Sequence, residues 1–295
     1  MTVKIICDTS ADLNLQNDET LYEKYDIEWV PMQVMFGTEA YKELENLKTS
    51  EFYEKLSKTD VHPTTSQSTQ ADLLAAYEKF GDKVDDIISI HISGEISGAV
   101  ASARMAKKMY EKQHPDGAKI HIFDSKTASA NFGLIALKAA IHAKEGLSAE
   151  EIVPKLEEWR TQDQSFYFTV KDLKWLFQGG RLSRTKYVLG SLLSKIPIFQ
   201  MIDGKIVPVK SVSGKDAAIQ TIIEMQMNDL QVDPSELTLH FTQAQIYSET
   251  KEIAAQLVEK YPGLKIGEIF SMGGVIASHT GPGTIGIMLT KNFEY

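Results

Sequence analysis

Short apolar, β-branched runs alternate with helical patterns through the first half of the chain, the signature of a parallel sheet with helices packed on its faces. The runs Val3–Cys7, Ile27–Phe36, Asp86–Ile92 and Lys119–Phe123 predict strands. Helical spacing of the apolar positions predicts helices over Thr49–Leu56, Thr69–Phe80, Ser97–Gln113, Ala128–Lys144 and Ala149–Arg160. Beyond these the pattern changes to Phe166–Val170, a glycine pair at Gly179-Gly180 and several shorter strands. The expected architecture is α/β in two domains. Residues 1–161 form a parallel sheet flanked by helices, and residues 162–295 form a second domain of helices and a mixed or antiparallel sheet. No linker or repeat separates them, so the two halves should pack directly, and such interfaces commonly hold ligands.

Composition narrows the partners. The 295 residues, 43% of them hydrophobic, are enough for a substantial core, and a net charge of -9 provides no broad cationic surface for phosphate backbones. Nucleic acid is therefore not an expected partner. No apolar run approaches the roughly 18 residues needed to span a bilayer, and no basic segment leads into an apolar stretch. Cys7 is the single cysteine, so no intramolecular disulfide forms. A cytoplasmic setting is expected, with at most transient membrane contact because no strongly basic amphipathic stretch is present.

Candidate chemistry gathers where the strands end. The first strand leads into Asp8-Thr9-Ser10-Ala11-Asp12-Leu13, the third into Ser93-Gly94-Glu95-Ile96-Ser97-Gly98 and the fourth into Asp124-Ser125-Lys126-Thr127. In open α/β sheets ligands bind outside the carboxyl ends of the strands, where helix N-termini also aim unpaired N–H groups. The cluster Thr64-Thr65-Ser66-Gln67-Ser68 adds hydroxyls just before a helix. Ser68, Ser97 and Ser125 read as helix caps, the usual role of serine at such positions, whereas Thr65 and Ser93 read as ligand donors. The second half contributes Gln178–Ser183 and Gly273–Gly283, which bring Arg181 and His279, suitable donors to a buried carboxylate.

Other motifs carry less. Gly281-Pro282-Gly283-Thr284-Ile285-Gly286 matches a dinucleotide fingerprint in letters, but a strand pattern follows it and only nine residues remain for an acidic ribose partner. In Gly94-Glu95-Ile96-Ser97-Gly98 the serine is displaced by one position from the nucleophile elbow of hydrolases. The histidines show no metal-ligand spacing, and His91 and His121 read as structural.

The segments Asp8–Leu13, Thr65-Ser66-Gln67, Ile92–Gly98, Phe123–Lys126, Gly179-Gly180-Arg181 and His279–Gly283 follow one another as the successive motifs of the DegV family do, and the chain resembles that family over almost its whole length. The resemblance implies a two-domain carrier holding one long-chain fatty acid, with no cofactor and no catalytic activity of its own, that presents the carboxylate to a separate fatty acid kinase subunit for acyl-phosphate formation. It also implies head-group contacts from Thr65, Ser93 and His279, with Ser66 adjacent and Arg181 supporting the polar end. Ser93-Gly94 stands where many members have two serines, and Ile196-Pro197 and Lys210–Ser213 depart from segments that are more basic in the family. The alternative function is an enzyme, either a serine-type lipid hydrolase using Ser93 or Ser97 with His279 or a phosphoryl carrier on His279. Hydrolysis requires a serine hydrogen-bonded to the histidine and a carboxylate orienting that histidine.

Overall fold

The computed structural model describes residues 2–182, 195–291 and 293. Ser183, at the end of the glycine-rich stretch noted above, lies outside them. The strands are β1 (Val3–Asp8), β2 (Ile27–Val30), β3 (Gln33–Phe36), β4 (Glu39–Lys42), β5 (Thr64–Ser66), β6 (Asp86–His91), β7 (Lys119–Asp124), β8 (Gln164–Thr169), β9 (Ile196–Ile202), β10 (Lys205–Val212), β11 (Leu237–Gln243), β12 (Lys265–Ser271) and β13 (Ile285–Lys291). The described helices are α1 (Thr49–Ser57), α2 (Gln70–Phe80), α3 (Ala99–Gln113), α4 (Ser129–Lys144), α5 (Ala149–Gln162), α6 (Lys174–Gln178), α7 (Lys215–Leu230), α8 (Tyr247–Lys260) and α9 (Gly274–Thr280).

The fold is α/β, with a first domain built on a four-stranded parallel sheet in the order β2-β1-β6-β7. Strand β6 is buried along its entire length, as a central parallel strand covered on both faces must be. One face packs Ile6, Ile87 and Ile120 against Tyr77 and Ala103 of α2 and α3. The other packs Ile5, Ile88 and Ile90 with Leu134 of α4 and Ile152 of α5. The second domain contains a mixed six-stranded sheet in the order β10-β9-β8-β13-β11-β12, in which only the β11–β12 pair is parallel. Its outer face is covered by α7 and α8 through Ile222, Phe241 and Leu257. Its inner face places Phe166, Phe168 and Phe199 in the same cluster as the first domain's Ile90 and Leu134, so one apolar core runs between the two sheets.

The run Ile27–Phe36 is two strands rather than one. Pro31 has no N–H to give a ladder, and the next amide, Met32, donates to the Thr9 hydroxyl at 3.1 Å. The chain turns there, and β3 joins an antiparallel three-stranded sheet in the order β4-β3-β5. The polar cluster before α2 is therefore strand β5, and the α2 cap is Thr69, whose hydroxyl accepts from the Asp72 amide at 3.0 Å. Ser68 is buried and donates to the Val30 carbonyl instead. Ser125 closes a turn on Thr127 within the β7–α4 loop and caps no helix. Ser97 keeps a related role, accepting from the Ala99 amide at the start of α3 at 3.2 Å.

Candidate functional site

An apolar slot opens between the two sheets. Met32, Ile92, Ile96 and Ala128 line it from the first domain, and Phe166, Phe168, Met201, Ile206 and Met272 from the second, with Val275 and Ile276 of α9 completing the wall. About 650 Å³ in the slot and its mouth is free of protein atoms. Strand alternation directs Phe166 and Phe168 to the same face of β8, where their rings stack with centroids 5.8 Å apart. Tyr167, between them, faces the other way and donates to Asp229 at 2.9 Å.

The polar residues of the slot are few. Thr65, Ser97, Ser129, Arg181, His279 and Thr280 line it. Thr65 is carried by β5, whose register sets it opposite Val34. Its hydroxyl pairs with His279 Nε2 at 2.7 Å across the domain boundary. His279 rides on α9, which approaches β3 closely because Gly274 has no side chain: a Cβ there would lie 2.8 Å from the Phe52 ring and 3.3 Å from Val34. Burial, helped by the nearby Arg181 charge and by His62, drives the His279 pKa down to about 3, so the ring is neutral at physiological pH. Its Nδ1 is buried without a hydrogen-bond partner among the described residues and faces Gly179, where an added Cβ would come within 2.3 Å. Arg181 donates through Nε to the Ile96 carbonyl at 3.2 Å and through a terminal nitrogen to the Gly179 carbonyl at 2.6 Å. These bonds fix the guanidinium beside the polar end of the slot.

Not every expected donor arrives there. Ser66 follows Thr65 in the strand and so points to the opposite face, where it makes a long contact of 3.4 Å with Gln33. Ser93 is fully buried but does not line the slot, and its hydroxyl donates to the Gly204 carbonyl at 2.8 Å. Gly204 belongs to the Asp203-Gly204 turn between β9 and β10, and both turn residues have positive φ, the geometry of a tight hairpin. Ser93 thus ties this hairpin to the first domain. Among the described residues the hydrolytic alternative finds no triad: the hydroxyl on His279 belongs to Thr65 rather than to Ser93 or Ser97, and no carboxylate meets Nδ1. His91 is buried between Asp8 and Ser89, and His121 pairs with Asp86 at 2.7 Å.

Ser97 as a slot residue, the Phe166/Phe168 pair and the wall of α9 were not singled out from sequence. Alternation along β8 identifies which residues share a face, but nothing local shows that the face borders a void rather than filled core.

Comparison with known proteins places the fold in a family. Residues 2–292 match the family model described as "Uncharacterised protein, DegV family". Protein DegV of Bacillus subtilis (strain 168) is 35% identical over 292 residues, covering 97% of this chain and 98% of that one. The crystal structure of DegV, a fatty acid binding protein from Bacillus subtilis, superposes with a TM-score of 0.86 at 34% identity over 99% of both chains. A DegV family protein from Thermus thermophilus, described for its fatty acid binding, superposes with a TM-score of 0.84 at 27% identity, over 99% of this chain and 100% of that one. The chain belongs to the DegV family.

Proposed function

We propose that this protein binds one long-chain fatty acid in the slot between its two sheets and presents the carboxylate to a separate kinase that forms the acyl phosphate. In this reading residues 1–161 and 162–295 act as the two halves of the site. The observation that carries it is an almost wholly apolar slot whose polar end bears Thr65, His279 and Arg181. Burying an acyl tail contributes on the order of 0.8 kcal/mol per methylene, so the tail dominates affinity. A buried carboxylate, by contrast, is tolerated only when hydrogen bonds satisfy it. The Thr65 hydroxyl and the neutral His279 ring supply donors, and Arg181 supplies the charge. Ser97 joins them as an additional hydroxyl. Ser93 reaches the ligand only by exchanging its bond to Gly204, and Ser66 supports the strand from its other face. Relatives described as fatty acid binding proteins support the ligand class.

The test is native and denaturing mass spectrometry of the purified chain beside Thr65→Ala, Ser93→Ala and His279→Ala variants. Fatty acid at one per chain in the parent, diminished in folded variants, is the expected result; a lipid-free parent that also refuses added fatty acid overturns it. Delivery is tested separately, by adding a fatty acid kinase catalytic subunit and ATP to the loaded protein and assaying acyl phosphate.

A further inference from the structure

Helix α9, which carries His279 and the Val275–Ile276 wall, starts on two buried carboxylates from the first domain. Asp12 accepts from the Gly273 amide at 2.9 Å and from the Ser129 hydroxyl at 2.6 Å, and Ser129 in turn meets Thr242 at 3.0 Å. Glu43 accepts from the Val275 amide at 2.9 Å through Oε1 and interacts with the Thr9 hydroxyl, while its Oε2 is buried with no well-formed hydrogen bond among the described residues. The two acids press on Gly273 so closely that an added Cβ would lie 2.4 Å from Glu43 Oε1 and 2.9 Å from Asp12 Oδ1. Neither forms an ion pair with a lysine or arginine among the described residues.

The titratable surroundings of the pair are acidic or neutral. Asp8, from the end of β1, lies near both and is itself held by His91 of β6 at 3.1 Å and by Ser10. Tyr22, Tyr53 of α1 and Cys7 of β1 are buried close by, and desolvation raises the pKa of all three. Desolvation is also the largest influence on the two acids. It raises Asp12 well above the usual carboxylate range, with the Glu43 charge adding to it, and it raises Glu43 to about 7 against the opposing hydrogen bonds from Val275 and Thr9. Two carboxylates so close in a dry site share a proton rather than ionise together.

His279 stands five residues along the same short helix, about 7.5 Å of helical rise from Gly274. We infer that Asp12 and Glu43 form a proton-linked clamp on α9 that positions His279, and that the pair takes up a proton from solvent onto Glu43 Oε2 when the ligand carboxylate binds. The inference rests on the fatty acid reading above. A negative charge brought to the far end of α9 disfavours the ionised pair, and by reciprocity the protonated pair favours the anionic ligand.

The experiment is palmitate binding by calorimetry to the parent and to Glu43→Gln from about pH 6 to about pH 8.5, in two buffers of different ionisation enthalpy. In the parent, Kd rises with pH through neutrality, by at most about tenfold per pH unit, and binding takes up protons from the buffer. In Glu43→Gln the profile is flat and that uptake is lost. Parallel profiles in the two proteins overturn the clamp, as does a variant weakened equally at every pH, which marks a purely structural role. A parent that binds no palmitate removes the carrier reading and the ligand linkage together. The clamp itself is then judged by the Val275 amide shift of the ligand-free protein, which must titrate near neutrality and cease to do so in Glu43→Gln. If Glu43→Gln does not fold, Asp12→Asn replaces it: Glu43 keeps its own desolvated site, so the Val275 titration near neutrality and the proton uptake must persist, and their loss overturns the assignment of the proton to Glu43.

Discussion

Replacing Thr65 by valine keeps the shape of the side chain and removes the hydroxyl that pairs with His279. In the free protein that hydroxyl sits 2.7 Å from Nε2. In the loaded protein it is proposed to donate to the ligand carboxylate. A hydrogen bond to a charged group contributes about 1.5–3 kcal/mol, so Kd should rise by about 10- to 150-fold. The loss concerns the head group alone, so fatty acids of different chain length should be weakened by the same factor. Because His279 stays neutral down to about pH 3, the factor should also be the same on either side of neutrality. Valine leaves His279 Nε2 buried without a partner, which costs about 1–3 kcal/mol of stability. Thermal melts therefore have to establish that the variant is folded at the titration temperature. A folded variant that binds within about twofold of the parent, a difference under about 0.5 kcal/mol, refutes the assignment of Thr65 to the head group.

Three further outcomes follow from the same geometry. Gly179 has helical φ and ψ of −69° and −12°, so alanine fits the backbone there, but its Cβ would press on His279 Nδ1 from 2.3 Å. Gly179→Ala should displace the imidazole and weaken fatty acid binding by about tenfold, with a far smaller effect if His279 is not a ligand contact. Ala128→Phe fills the slot from its wall, so long acyl chains should be excluded while short ones retain affinity; equal affinity for both refutes the tail position. His240 and His279 are each held neutral by burial, with pKa values driven to about 3 from the ordinary 6.5. Between those values the unfolded chain binds more protons than the folded one. The stability these groups contribute is thus complete above about pH 6.5 and declines below it, by up to about 1.4 kcal/mol per pH unit for each histidine. Urea denaturation of His279→Gln beside the parent should show a stability difference that shrinks as pH falls from about 7 to about 5, and a constant difference refutes the neutral assignment.

The parallel sheet was legible because its strands are short β-branched runs set between amphipathic helices, and both features are local. Ile27–Phe36 was misread because one apolar run spans two sheets, and the signal lay in Pro31, which cannot donate to a ladder. Thr65, Arg181 and His279 could be singled out from their residue types and from motif order. Their convergence could not, because it joins β5, the segment after α6, and α9, separated by 214 positions between Thr65 and His279. Ser66 illustrates the limit: its motif neighbour Thr65 reaches the slot, and strand alternation sends Ser66 away. Ser93 illustrates another, since its hydroxyl is engaged by a hairpin carbonyl more than a hundred residues later, at Gly204. Asp12 belongs to the Asp8–Leu13 motif, but its partnership with Glu43 exists only in the fold, where both meet Gly273.

Charge placement gives the proposed ligand a direction. Asp8, Asp12 and Glu43 lie at the N-terminal end of α9, whereas Arg181, Thr65 and His279 gather at its C-terminal end. A fatty acid entering tail-first toward Thr65 would leave its carboxylate away from Arg181, and burying an uncompensated charge against the apolar walls is prohibitive. In the opposite orientation the carboxylate meets a guanidinium and neutral donors while the tail crosses Phe166 and Phe168. Neutral donors also suit a carrier that must hand its ligand on. In the proposed complex the Thr65 hydroxyl and the neutral His279 ring orient the carboxylate beside Arg181 without adding a second cation to the ion pair. The depressed basicity of His279 follows from its burial. The packing that encloses the site is therefore what keeps this donor neutral.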